Sequence, residues 1–214
     1  ILLEAMWRYF FRDLRSKHAD QYNQLKEYED RVFSIMTGGD YAMIRSVEYF
    51  EDYSEFGRQQ VRELEMTGRD MLIAITEGGE TSSVLGTVEE ASDRGSKVFL
   101  LFNNPASVLM EHIERSRNAI QNPGVTVLEL YCGPMAIAGS TRMQATSAEL
   151  LIAGAALERI LNRSISKEIP GDLKEKLRLE EIDYAMAFDR LLDELVSSGN
   201  TEMMAAYIKF EKEI

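Results

Sequence analysis

Apolar positions change period along the chain, and each change marks an element. Ile1, Leu2, Ala5, Met6, Tyr9 and Phe10 recur at helical spacing, and a more polar helical stretch runs from Asp20 to Glu29. Arg31 to Met36 (RVFSIM) is a short β-favouring run closed by Thr37-Gly38-Gly39, which predicts a strand ending in a tight turn. Helical turns carrying Glu48, Glu51 and Glu55 come next. Asp70 to Thr76 (DMLIAIT) is a continuous apolar run that stops at Glu77-Gly78-Gly79, and a helix capped by Thr81 or its neighbours is expected from Thr81 to Ala91. Lys97 to Phe102 (KVFLLF) predicts a further strand, Ala106 to Ile120 a helix, and Val125 to Leu130 (VTVLEL) another strand. Strands alternating with helices imply an α/β fold, a three-layer αβα sandwich on a mainly parallel, flavodoxin-like sheet.

After Tyr131-Cys132-Gly133-Pro134, the segment Gly139-Ser140-Thr141-Arg142 leads into a long helix expected from Ala145 to Leu161. Its Ala, Gly and Leu content predicts burial on several sides. From Ser164 the chain turns polar, breaks at Pro170-Gly171, and ends in amphipathic helices expected over 180–196 and 201–214. The expected organisation is one domain over 1–163 and a helical extension over 164–214 that connects to a second domain. Because the helical period starts at Ile1 without a cap, the sequence is expected to be a fragment cut inside a larger protein.

A chain of 214 residues, 45% hydrophobic and 28% charged, buries a sizeable single core. A formal charge of -12 with no Lys/Arg-rich run argues against nucleic acid and against an anionic membrane as partners. Cys132 is the only cysteine, so no intrachain disulfide forms; a packed thiol and a cytoplasmic location are expected. No apolar run reaches the roughly 18 residues of a membrane span. His18 and His112 lack metal-ligand spacing and a nucleophilic partner, so neither a metal nor another cofactor is expected. Trp7, Tyr9, Phe10 and Phe11 read as core or interface aromatics.

Open parallel sheets bind ligands at the carboxyl ends of their strands, where loops and helix N-termini present unpaired N–H groups. Three segments fall there. In Thr76 to Ser83 the candidate ligand-binding residues are Thr76, Gly78, Gly79, Thr81, Ser82 and Ser83: glycines let backbone approach a ligand, and hydroxyls donate to phosphate or sugar oxygens. The same residues also make ordinary turn and cap chemistry. Ser140, Thr141 and Arg142 form a second candidate set ahead of a helix. Glu48, Glu51 and Glu55 are the third, at a spacing that also describes a solvated face.

Taken in order, Ile35 to Asp40, Val47 to Asp52, Ile73 to Leu85, Phe102-Asn103-Asn104-Pro105, Gly133-Pro134 and Gly139 to Met143, with Ala148 in the helix beyond, resemble the sugar-isomerase domain of N-acetylmuramic acid 6-phosphate etherases and glucokinase regulatory proteins. The resemblance runs from about Leu2 to Leu161 and implies a phosphosugar ligand, with a homodimer or a second sugar-isomerase domain of the same parent chain as partner. It implies that Glu51 matches a residue that contacts the sugar and, in the etherases, acts as acid/base when lactate is eliminated from the sugar C3. The chain departs from the pattern at several places. The Gly-Thr-Ser-Gly phosphate loop belongs ahead of Ile1, the second etherase glutamate has only Glu4 near its place, Gln144 stands where a Lys is common, and Glu77 and Glu80 put like charges beside a phosphate site. These departures make a phosphosugar-sensing domain of the regulatory-protein kind the leading expectation. The alternative is a sugar-phosphate lyase or aldose-ketose isomerase using Glu51.

Overall fold

The structure is a computed structural model and describes residues 1–45, 49–140, 143–166, 168–177, 179 and 182–213. It divides into two compact units, Ile1–Leu157 and Glu158–Ile214. The first begins with helices α1 (Leu2–Lys17) and α2 (Ala19–Leu25) and continues through the 3-10 turns Lys26–Tyr28, Asp40–Met43 and Phe50–Asp52 into α3 (Ser54–Glu63). Strand β1 (Met71–Ile75), helix α4 (Ser82–Asp93), strand β2 (Lys97–Phe102), helices α5 (Ala106–His112) and α6 (Glu114–Gln121), and strand β3 (Val125–Glu129) follow. Helix α7 (Gln144–Ile165) starts in this unit.

The strands form a three-stranded sheet of order β1-β2-β3, parallel throughout, with Leu72 opposite Val98 and Leu100 opposite Val127. Consecutive parallel neighbours joined by right-handed crossovers put α4 and α5–α6 on the same face. The core confirms that placement. Leu72, Ala74, Val98, Leu100 and Phe102 pack with Leu85, Val88 and Ala91 of α4, Val61 of α3, Leu109 of α5 and Ala119 of α6. The fold is therefore the expected α/β type, consistent with a sugar-isomerase αβα sandwich. Along β1, Ile73 and Ile75 border a cavity of about 650 Å³ that is also lined by Ile35, Met36, Ala153 and Leu157.

Several local expectations are corrected. Arg31 to Met36 is not a strand: side chains satisfy its backbone instead of a ladder, with Ser34 N–H donating to the Glu4 carboxylate at 3.0 Å and Gln60 donating to Met36 O at 2.7 Å. The helix expected over 106–120 is two helices, because Ile113 adopts an extended conformation and the Arg117 guanidinium takes the carbonyls of Met110 and Glu111 at the end of α5. Helix α7 buries one stripe, Ala145, Glu149 and Ala153, and exposes Leu150 and Ile152. Cys132 is exposed rather than packed, and Tyr9 is exposed while Trp7 and Phe11 are buried.

The second unit contains the rest of α7, α8 (Gly171–Lys176), α9 (Tyr184–Leu195) and α10 (Ser198–Glu213). Asp183 caps α9 by accepting from Met186 N–H at 3.0 Å. Leu191, Leu195, Tyr207 and Phe210 are among its exposed apolar side chains. Among the described residues no helix is long and apolar enough to cross a membrane.

Candidate functional site

The carboxyl end of β1 opens into the loop Thr76–Thr81, whose carbonyls are all tied down. Gly79 N–H donates to Thr76 O, Asn103 N–H to Glu77 O, Asn104 Nδ2 to Gly78 O, Ser116 Oγ to Gly79 O and the Arg115 guanidinium to Glu80 O. Carbonyls held against the body give the loop one conformation. Gly79 adopts φ +77°, a backbone conformation that disfavours any side chain, and a Cβ there would also press on Leu109 Cδ1 at 2.5 Å. Immediately beyond, the first N–H groups of α4, those of Ser82, Ser83 and Val84, have no acceptor within the helix and point toward the same end of the sheet. Thr81 is its N-cap by position, but its hydroxyl pairs with that of Thr76 at 2.9 Å instead of capping. The Ser83 hydroxyl pairs with Thr37 at 2.7 Å. A rigid loop, a glycine turn and a helix N-terminus form the pattern that cradles an anionic group.

Glycines also decide where Glu51 sits. A Cβ on Gly57 of α3 would lie 1.8 Å from Ser83 O, and one on Gly86 of α4 would lie 2.0 Å from Ser54 O. The two helices thus meet backbone to backbone, and the Phe50–Asp52 turn packs against α4. Phe50 stacks on Phe56 with ring centroids 4.6 Å apart, and Tyr53 meets Phe56 edge-on at 5.7 Å, which pins the turn. Glu51 is exposed on that turn, beside the helix whose N-terminus follows the Thr76–Thr81 loop. Glu55 serves the scaffold: it accepts from Arg62 at 2.5 Å, and Arg62 also donates to Glu90 at 2.9 Å. Hydrogen bonds from Arg62 and then Arg94 hold the Glu90 carboxyl below the usual carboxylate range.

A buried polar cluster closes the strand ends from the other side. Glu149, 4% exposed on the buried stripe of α7, accepts from Asn103 Nδ2 at 2.9 Å, and Asn103 follows directly on β2. The Thr146 hydroxyl, one turn earlier on α7, donates to the Glu77 carboxylate. Burial first, and then the charge of Glu77, push the Glu149 carboxyl up to about 7, against the opposing hydrogen bond from Asn103. At neutral pH the buried Glu149 carboxyl thus stands partly protonated at the strand ends.

Of the residues singled out from sequence, Thr76, Gly78, Gly79, Thr81, Ser82 and Ser83 come together in one loop and helix start. Ser140 is half-buried ahead of α7, while Thr141, Arg142 and Glu48 lie outside the described residues. Glu80 is exposed, its backbone carbonyl held by Arg115. Among the described residues no cluster of His, Cys, Asp or Glu is arranged to hold a metal ion. Asn103, Ser116 and Glu149 were not expected as site residues. The signal for Asn103 is its position just past a strand end, and for Glu149 the single acidic residue on the Ala145, Glu149, Ala153 stripe.

No family model matches the chain. Against curated proteins, it is 32% identical over 123 residues to N-acetylmuramic acid 6-phosphate etherase 1 of Bacillus licheniformis, covering 58% of this chain and 37% of that protein. It is 33% identical over 122 residues to N-acetylmuramic acid 6-phosphate etherase of Lactococcus lactis, covering 57% and 37%. The Bacillus subtilis etherase is 32% identical over 123 residues, covering 58% and 37%. Over that segment the chain is homologous to N-acetylmuramic acid 6-phosphate etherases. The match spans little more than a third of the length of these relatives. The etherase relatives favour the lyase alternative over the regulatory-protein expectation.

Proposed function

We propose that this chain is the phosphosugar-binding part of a carbon–oxygen lyase acting on a sugar phosphate of the N-acetylmuramic acid 6-phosphate kind. The observation that carries the reading is the coincidence of two things: homology to etherases, and a loop with internally bonded carbonyls leading into a helix N-terminus at the carboxyl end of a parallel strand. In this reading Gly78 and the α4 N-terminus receive the phosphate and Thr81, Ser82, Ser140, Thr141 and Arg142 orient the sugar, while Gly79 and the buried Thr76 and Ser83, bonded within the protein, hold the loop in shape. Glu51 is the acid/base. In the ring-opened aldehyde form of the sugar Glu51 takes the proton from C2, the C2–H electron pair becomes the C2=C3 double bond, and the C3–O bond breaks with its electrons on the lactate oxygen, which takes the proton back from Glu51.

Glu80 does not oppose this assignment, because an exposed carboxylate near the first turn of a helix meets the favourable end of its dipole. The cytoplasm as location, and a homodimer or second sugar-isomerase domain that completes the site, belong to the same proposal. The test is a thermal-shift and calorimetric titration of the full-length protein with N-acetylmuramic acid 6-phosphate and with the unphosphorylated sugar. Saturable stabilisation by the phosphate ester alone is expected. Equal response to both sugars, or to neither, removes the phosphosugar reading.

A further inference from the structure

The mechanism above leaves Glu149 without a task, although burying a carboxyl at the ends of two strands is costly unless something compensates. Its surroundings are set by the elements packed on it. From the end of β2, Asn103 donates to one carboxyl oxygen at 2.9 Å. From the loop after β1 comes Glu77, whose carboxylate is engaged by Thr146. From the segment after β3, the Cys132 thiol reaches Asn103 Oδ1 at 3.8 Å. Among the described residues the charge that acts on Glu149 is therefore of its own sign. Glu77 is itself part of the Thr76–Thr81 loop, one residue from Gly78. Ionising Glu149 thus adds a second negative charge beside the loop, in a poorly solvated spot where screening is weak.

We propose that Glu149 is a specificity-determining residue whose carboxyl must hold its proton for an anionic sugar phosphate to bind at the strand ends. The proposal rests on the phosphosugar reading above and deepens it by naming what tunes the site. Neutral Glu149 keeps a second negative charge away from the strand ends and from Glu77. Ionised Glu149 repels both Glu77 and an incoming phosphate. Affinity for such a ligand then follows the protonated fraction of one buried carboxyl.

The experiment is calorimetric titration of the full-length protein and its Glu149→Gln variant with N-acetylmuramic acid 6-phosphate at pH 6 and pH 8. Glutamine keeps the acceptor for Asn103 and cannot ionise. The wild-type Kd is expected to rise about tenfold from pH 6 to pH 8 relative to the variant, whose site stays neutral. The second ionisation of the sugar phosphate, near pH 6, acts on both proteins alike and cancels in that ratio. In parallel, side-chain carboxyl ¹³C NMR follows one carboxyl titrating near 7 that is absent from Glu149→Gln. Parallel pH dependences in the two proteins, or a Glu149 carboxyl that titrates in the ordinary range, overturn the proposal while leaving the phosphosugar reading intact. Binding by neither protein at either pH, with Glu149 still titrating near 7, removes the phosphosugar reading and this proposal with it.

Discussion

Gly57→Ala tests how the fold aims Glu51, because helix propensity and packing make opposite predictions there. On propensity alone, alanine in place of a glycine inside α3 stabilises by about 1 kcal/mol. Packing opposes it. The new Cβ would lie 1.8 Å from Ser83 O, 2.8 Å from its carbonyl carbon and 3.0 Å from Thr87 N, all backbone atoms that no side-chain rotation can clear. Restoring van der Waals contact requires α3 and α4 to separate by roughly 1.5–2 Å, which forfeits a large part of the dispersion energy along the interface. Because the clashing atoms are all backbone, the cost lies at the upper end of about 1–3 kcal/mol, and less the gain of about 1 kcal/mol the net change is a loss of roughly 2 kcal/mol, read as a fall in Tm of about 4–8 °C. The Phe50–Asp52 turn packs against α4 and leads into α3, so a shift of this size also misplaces Glu51 and is expected to lower turnover on the order of 100-fold. Urea denaturation and steady-state rates of the purified variant measure both effects. A Gly57→Ala protein as stable as wild type, or more so, with unchanged turnover, would refute the account of the α3–α4 contact.

Further outcomes follow from the same geometry. Gly86→Ala pushes on the same contact from α4, through Ser54 O at 2.0 Å, so the double variant with Gly57→Ala should lose less stability than the two single losses together. Gly79→Ala combines a left-handed backbone, at φ +77°, with a contact of 2.5 Å to Leu109; it should lower stability by roughly 2–4 kcal/mol and weaken sugar-phosphate binding, both read by titration calorimetry and denaturation. The folded-state pKa of Glu149 is raised to about 7 from 4.5, so the native state holds a proton that the unfolded chain releases. Its contribution makes stability fall as pH rises from about 4.5 to about 7 and level off above, by about 3 kcal/mol in all, and Glu149→Gln should flatten that slope and be the more stable protein at pH 8. Glu90 has the opposite sign. Its carboxyl is lowered by Arg62 and Arg94, so its stabilisation is present above the unfolded value near 4.5 and lost as pH falls through the lower folded value. Glu90→Gln should cost roughly 1–3 kcal/mol at pH 7 in urea denaturation and remove that acid dependence.

The apolar run stopped by Glu77-Gly78-Gly79 made β1 readable from sequence, Val98 to Phe102 made β2 so, and the alternation of Val125 to Leu130 made β3 so. Arg31 to Met36 has the same composition, but its pairing depends on partners that composition does not encode, and Glu4 and Gln60 take its backbone groups instead. The Thr76–Ser83 loop was legible as a strand-to-helix turn because glycines and hydroxyls mark such turns, although the same residues serve ordinary turn and cap chemistry. What sequence could not show was that Thr81 pairs with Thr76 rather than capping, or that five carbonyls are bonded inward, because the donors Asn104, Arg115 and Ser116 lie on the next crossover. Glu149 escaped notice for a similar reason. An acidic residue in a helix is ordinarily solvated, and its burial depends on which helix face meets Asn103, a contact 46 residues away.

The most direct test of the central claim is lactate release from N-acetylmuramic acid 6-phosphate by the full-length protein, compared with Glu51→Gln under single-turnover conditions. The account predicts release by wild type and, in the variant, retained binding of the sugar phosphate with release reduced by about 100-fold or more. Undiminished release in Glu51→Gln would contradict the role given to Glu51, and no release by the wild-type protein, with the sugar phosphate bound, would contradict the lyase.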